Sequence, residues 1–310
     1  MQDLERLLGG APWGLVTFRR GESPQRQSGI LTAAGVEHPP FLAAYADLDA
    51  VLRDWPRVEP ALRAWEAAGK TVGEATIELP LRTPTKLLCA GANYHDHIQE
   101  MGIESVPPGN RPFFFLLPPS SLIGPGHAVR IPADPAARVD WEAELAVVVG
   151  AAARNIPVER ALDHVAAFSI VNDVSARGLH RRSDPLAPPF EFDWLTSKGL
   201  DTFTPLGPTL VPAWLAPDPD SMRVRLWQND DLRQDGTTTS MIANVAELVV
   251  AASHLMTLEP GDVIATGTPP GVGAPRGLQL ADGDQVVVTI DGIGTLESPV
   301  VVDPEQRPLG

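Results

Sequence analysis

The stretch Val139-Asp140-Trp141-Glu142-Ala143-Glu144-Leu145-Ala146-Val147-Val148-Val149 decides how this chain is read. Its apolar run is that of a buried strand. Side chains alternate faces along a strand, so Glu142 and Glu144 point the same way as Ala146 and Val148. Two ionised acids on a mostly apolar face repel each other and are poorly solvated, a costly arrangement without a cation between them. A hard divalent cation answers both problems. The alternative is an edge strand carrying Glu-x-Glu on its wet face. A third acid, Asp173, closes another strand-like run, Ala166-Ala167-Phe168-Ser169-Ile170-Val171-Asn172-Asp173. Three oxygen donors from two strands suit an octahedral Mg²⁺ or Mn²⁺, with Ca²⁺ as a further hard cation.

Length and composition set the bounds. A chain of 310 residues, 44% hydrophobic, holds one large core or one core with a small appended domain. No apolar run is long enough to span a bilayer, and Met1-Gln2-Asp3-Leu4-Glu5-Arg6 lacks the basic start of a signal peptide, so a cytoplasmic address is the default. The net charge of −15 argues against nucleic acid and against an anionic membrane as partners. An acidic protein that binds an acidic metabolite needs a local positive source, and a metal supplies one. The lone Cys89 excludes a disulfide framework or a cysteine zinc cluster, and its apolar surroundings mark it as a small core residue.

Residues 1–80 read as a small α/β domain of structural or oligomeric role, with strands at Leu15–Phe18 and Ser28–Leu31 and helical periodicity from Leu42 to Ala68. From residue 85 to 302 strands dominate, punctuated by Pro and Gly turns. Helical signals lie at Ala161–Val165 and Thr239–Met256, and a hairpin with Asp291-Gly292 at its turn closes the chain. Strand-then-helix alternation is absent. The fold class is α+β and β-rich, a mixed-sheet roll or sandwich.

Several further residues suit chemistry. In Gly91-Ala92-Asn93-Tyr94-His95-Asp96-His97-Ile98-Gln99-Glu100-Met101-Gly102, Asn93 is placed to cap a short helix. His97 and Glu100 then share a helical face, close enough for the carboxylate to orient an imidazole that activates water. An exposed helix with casual polar residues would look the same. Lys198 can neutralise an enolate or carboxylate, or simply reach the surface along its stem. Arg177 is placed to pair with an acid or a ligand carboxylate. The small-residue turn Thr266-Gly267-Thr268-Pro269-Pro270-Gly271-Val272-Gly273 can approach an anion through its backbone and the Thr268 hydroxyl, but it is no Walker loop, since the lysine is missing.

Together these segments resemble the fumarylacetoacetate hydrolase family. Gly91–Gly102, Ser120–Gly126, Trp141–Leu145, Asn172–Arg177, Asp231–Asp235 and Asp262–Gly273 are similar to its motifs, in order, across roughly residues 85 to 302. The resemblance implies the C-terminal fold of that family, a homodimer, and a metal-dependent enzyme acting on a small 2-oxo acid. It implies Glu142, Glu144 and Asp173 as metal ligands and His97, Glu100 and Lys198 as catalytic residues. Tyr94, Arg177, His180, Gly267 and Thr268 would contact substrate. Two departures stand out: many members carry a lysine at Leu117 and a glutamine at His180, positions that the resemblance puts at the pocket. Hydrolysis of a carbon–carbon bond in a 2,4-dioxo acid, an acylpyruvate or fumarylpyruvate, is the first expectation. Isomerisation, hydration or decarboxylation of a 2-oxo acid at the same site is the alternative, and a non-catalytic metal-stabilised binding protein is the third.

Overall fold

The computed structural model describes residues 4–306. Ala143–Val149 lies at the centre of an eleven-stranded mixed sheet, hydrogen-bonded to Val165–Asn172 on one side and Val263–Ala265 on the other. It is buried along its whole length, which is why its sequence reads as continuous apolar rather than alternating. The sheet continues through Leu87–Gly91 to Phe113–Leu116 at one edge, and through Thr204–Pro212 to Gly14–Arg20 and Arg26–Thr32 towards the other. Most pairings are antiparallel, whereas Val263–Ala265 runs parallel to Leu87–Gly91. A second, five-stranded sheet contains Arg223–Gln228, Asp231–Thr237 and the closing hairpin Gln285–Ile290 with Gly294–Asp303. The β-rich α+β class expected from the sequence is what the chain adopts.

The period of two along the central strand sorts its residues between two cores. Leu145, Val147 and Val149 pack with Val224, Leu226 and Val288 of the smaller sheet, forming the sandwich. Ala146 and Val148 face the other way, against Leu48, Leu52 and Trp55 of the short helices Leu48–Arg53 and Trp55–Arg63. The amino-terminal residues therefore share both sheet and core with the rest, through Leu15 opposite Leu210 and through those helices. Cys89 is buried in that second core, and burial together with the nearby Asp173 and Glu144 pushes its thiol up, out of the reactive range.

Local detail departs from the sequence reading in two helical segments. Thr238–Ser240 forms a separate 3₁₀ turn, and the helix proper is Val245–Leu255, started by a reciprocal capping box between Asn244 and Glu247. Val158–His164 is a 3₁₀ helix that gives way at Val165 to a strand. No helix among the described residues is long and apolar enough to cross a membrane.

Candidate metal centre and active site

Glu142 and Glu144 leave the central strand on the face opposite the sandwich, and Asp173 follows the end of the neighbouring strand Val165–Asn172. Asp173 is tied to Glu142 by its backbone N–H, and Asn172 Oδ1 accepts from Glu142 N at 2.9 Å. All three acids are buried, with one oxygen of each within 4.8 Å of the others. The strand is central, so the wet-edge alternative does not apply. Each pair of ionised carboxylates at that spacing repels by about 3 kcal/mol at an effective dielectric of about 20. Three such pairs approach the net stability of a whole domain, so counter-charge is obligatory.

The chain supplies part of it. Lys198, only 2% exposed, donates to Glu142 Oε2 at 2.8 Å and to Asp173 Oδ2 at 2.6 Å. Arg177 bridges Glu142 and Asp140, donating from Nε to Asp140 Oδ2 at 3.0 Å. Asp140 is a fourth buried acid, which also accepts from the backbone N–H groups of Trp141, Gly273 and Ala274. Four carboxylates thus face two cations, leaving two negative charges. Burial pushes Glu142 up, but Lys198 and Arg177 outweigh it and hold it at about 2. Burial raises Asp173 to about 6 despite Lys198, and raises Glu144 well above the carboxylate range, with Asp173 and Glu142 adding to the effect. Asp173 Oδ1 is buried without a partner. The formal charge of minus two with all four acids ionised, which the raised Glu144 and Asp173 relieve only by holding protons, together with hard oxygen donors and an orphaned carboxylate oxygen, fits one divalent cation.

The triad, Lys198 and Arg177 line a cavity of about 200 Å³ together with His97, Gly267 and Thr268. His97 sits on the short helix His95–Glu100, its Nδ1 3.4 Å from Glu100 Oε2. Glu100 is anchored in turn by Gly271 N, at 3.2 and 3.1 Å from its two oxygens. Gly271 has φ +110°, and a Cβ there would stand 2.1 Å from the Arg233 carbonyl oxygen, so the turn requires glycine. Its neighbour Gly267 donates to Glu144 Oε2 at 2.7 Å. Gln234, fully buried and reaching across from the smaller sheet, donates to Thr268 Oγ1 and Pro269 O and accepts from Ala143 N. One turn therefore links the carboxylate triad to the His97–Glu100 pair.

The family model described as fumarylacetoacetate (FAA) hydrolase, C-terminal, matches residues 86–301. The chain belongs to the fumarylacetoacetate hydrolase family. Among its relatives, oxaloacetate tautomerase fahd2, mitochondrial, of Xenopus laevis is 36% identical over 296 residues, 93% of this chain and 90% of that protein. Fumarylacetoacetate hydrolase from Exiguobacterium antarcticum superposes with a TM-score of 0.75 at 32% identity, covering 93% of this chain and all of that one. Maleylpyruvate hydrolase from Sphingobium sp. SYK-6, solved with manganese(II) and pyruvate, superposes with a TM-score of 0.70 at 30% identity over 93% of this chain and 99% of that one. Members of the fumarylacetoacetate hydrolase family thus include hydrolases and tautomerases of oxo acids.

Three residues that the resemblance puts at the pocket, Tyr94, His180 and Leu117, are not among those lining this cavity. Tyr94 is wholly buried beside Glu144 and does not line the cavity; burial and that carboxylate push its hydroxyl up, so it stays protonated. Its hydroxyl and that of Thr266 lie close without meeting hydrogen-bond geometry. His180 stands behind the wall, edge-on to Trp194 at 4.3 Å. Leu117 packs in the second core with Leu87 and Cys89 and does not line the cavity. The Thr268 hydroxyl donates to Ala143 O, which leaves it only acceptor capacity towards a ligand. Asn93 does not cap the helix His95–Glu100; its buried amide bonds Ala243 and the Thr266 carbonyl, and Tyr94 takes the cap position without a side-chain bond. Asp140 and Gln234 escaped sequence reading, because their partners lie far along the chain.

Proposed function

We propose that this chain is a divalent-metal-dependent hydrolase that cleaves the C3–C4 bond of a 2,4-dioxo acid of the acylpyruvate type. The observation that carries the proposal is the presence, in one cavity, of a buried carboxylate triad and a histidine already paired with a carboxylate. Mg²⁺ or Mn²⁺ held by Glu142, Glu144 and Asp173 would polarise the 2-oxo group and favour enolate formation. His97 Nδ1 faces Glu100, which leaves Nε2 to take a proton from water. The hydroxide so formed adds to C4, the C3–C4 bond breaks, and its electron pair passes into the enolate of a 2-oxo acid. Glu100 stabilises the imidazolium, and Lys198 places an ammonium where negative charge develops. Protonation at C3 then releases pyruvate or a homologue beside a carboxylic acid.

A second reading is keto–enol tautomerisation or decarboxylation of oxaloacetate, favoured by the relative that matches 93% of this chain. It uses the same enolate without water attack. The two are separated by assaying Mg²⁺-dependent pyruvate release from acetylpyruvate beside enol–keto conversion and decarboxylation of oxaloacetate. Under the hydrolytic reading His97→Ala abolishes pyruvate release from acetylpyruvate; turnover of oxaloacetate alone by the unaltered chain would favour the second. A Glu142→Ala variant that kept metal affinity and turnover would overturn both. The homodimeric and cytoplasmic expectations, and a structural or oligomeric role for residues 1–80, belong to the same proposal, the first checked by light scattering.

A further inference from the structure

The cavity is lined by two chemical kinds of residue, which meet where the Lys198 ammonium lies 5.4 Å from the centre of the Phe115 ring. Its polar groups are the carboxylate triad, His97, Arg177, Lys198 and the Gly267–Thr268 corner, and every other lining residue is small or apolar. The large ones are Met101, Phe115, Trp194, Val272 and Pro275. Phe115 and Trp194 stack with centroids 4.9 Å apart and planes 23° from parallel. Trp194 is braced on its other sides by Phe113 at 5.5 Å and by the edge of His180 at 4.3 Å. Its helix, Trp194–Lys198, is capped by Asp193, which accepts from Thr196 N at 2.9 Å and is gripped by Arg182. The aromatic wall is therefore held in place before any ligand arrives.

No lining cation is uncommitted. Lys198 is shared by Glu142 and Asp173, Arg177 by Asp140 and Glu142, and Arg276, next to the cavity wall, faces Glu100 at 3.6 Å. A second carboxylate on a ligand anchored at the triad would be desolvated against aromatic carbon without a counter-charge. An alkyl or aryl group in the same place would bury apolar surface. We propose that Phe115 and Trp194 make this site selective for 2-oxo acids whose far end is uncharged and apolar, over those that end in a second carboxylate. The proposal rests on the 2-oxo acid reading above and names the substrate class within it.

The test is calorimetric titration of the full chain, loaded with Mn²⁺, with pyruvate, 2-oxopentanoate and 2-oxoglutarate. The last two match in carbon count and differ in the far group, methyl against carboxylate. At least tenfold tighter binding of 2-oxopentanoate is expected. Trp194→Ala should bring the two affinities within about threefold, and Trp194→Arg, which supplies a cation, should reverse their order. Equal or tighter binding of 2-oxoglutarate by the unaltered chain overturns the proposal while leaving the 2-oxo acid reading intact. Failure of pyruvate itself to bind overturns both.

Discussion

Lys198 shows how one residue can hold a charged interior together. From the sequence it could have been a surface lysine, because its aromatic and apolar neighbours are compatible with either placement. Folding brings it between Glu142, 56 residues away, and Asp173, 25 residues away. Replacing it with Met would leave the buried carboxylates under-compensated, at a cost of about 3–5 kcal/mol. Urea denaturation in the presence of a chelator should show that loss, and Mn²⁺ should recover part of it. Asp140 is the converse case: it stands two residues before Glu142, yet its role was invisible. Its backbone partners Gly273 and Ala274 lie 133 and 134 residues away and Arg177 lies 37 away, so no local pattern marks it. Asp140→Asn loses the charge-assisted bond to Arg177, worth about 1.5–3 kcal/mol. Mn²⁺ affinity should fall as well, because Arg177 is then left with Glu142 alone, and titration with the metal would detect it.

Among the elements, the helix His95–Glu100 and the turn at Gly271 act as one device. The i,i+3 relation of His97 and Glu100 was legible, since helical spacing alone places them on one face. The anchor on Gly271 was not, because it depends on how the turn meets the helix across 171 residues of chain. Glu100→Gln keeps an acceptor for Gly271 N but removes the charge that supports the imidazolium. Under the proposed hydrolysis its kcat should drop by about 10²-fold or more, with Mn²⁺ affinity nearly unchanged, as steady-state assay and titration would show. Gly271→Ala is a conformational test: with φ +110° and no room for a Cβ, it should cost about 1–3 kcal/mol or more, read as a lower denaturation midpoint. The helix Val245–Leu255 teaches a related lesson, because apolar periodicity alone extended it back to Thr239. Its true start is written in the Asn244 and Glu247 pair, whose side chains satisfy the first orphan N–H groups.

For the molecule as a whole, protonation and metal loading are linked. In the metal-free chain Asp173 is raised from its ordinary value to about 6, with burial as the main cause, so the folded form retains a proton that the unfolded chain has released. This group therefore stabilises the fold least above pH 6, and stability falls as pH rises from the unfolded value through about 6. A cation at the triad competes with that proton, so the Mn²⁺-induced gain in Tm should grow between pH 5 and pH 7. Melting curves with Mn²⁺ and with a chelator at each pH would check this; a gain that stays flat would contradict the linkage. By itself the sequence determined the β-rich class, a buried strand within residues 139–149, and the spacing that makes Glu142, Glu144, Asp173 and the His97–Glu100 pair candidates. Each of these follows from periodicity or from residue types brought together by neighbouring segments. Only the tertiary structure decided that Leu117 belongs to the core, that Tyr94 lies beneath the site, and that Asp140, Gln234 and Gly271 hold it together. Those placements depend on contacts between distant segments, and a long-range contact leaves no spacing in the chain from which it could be read.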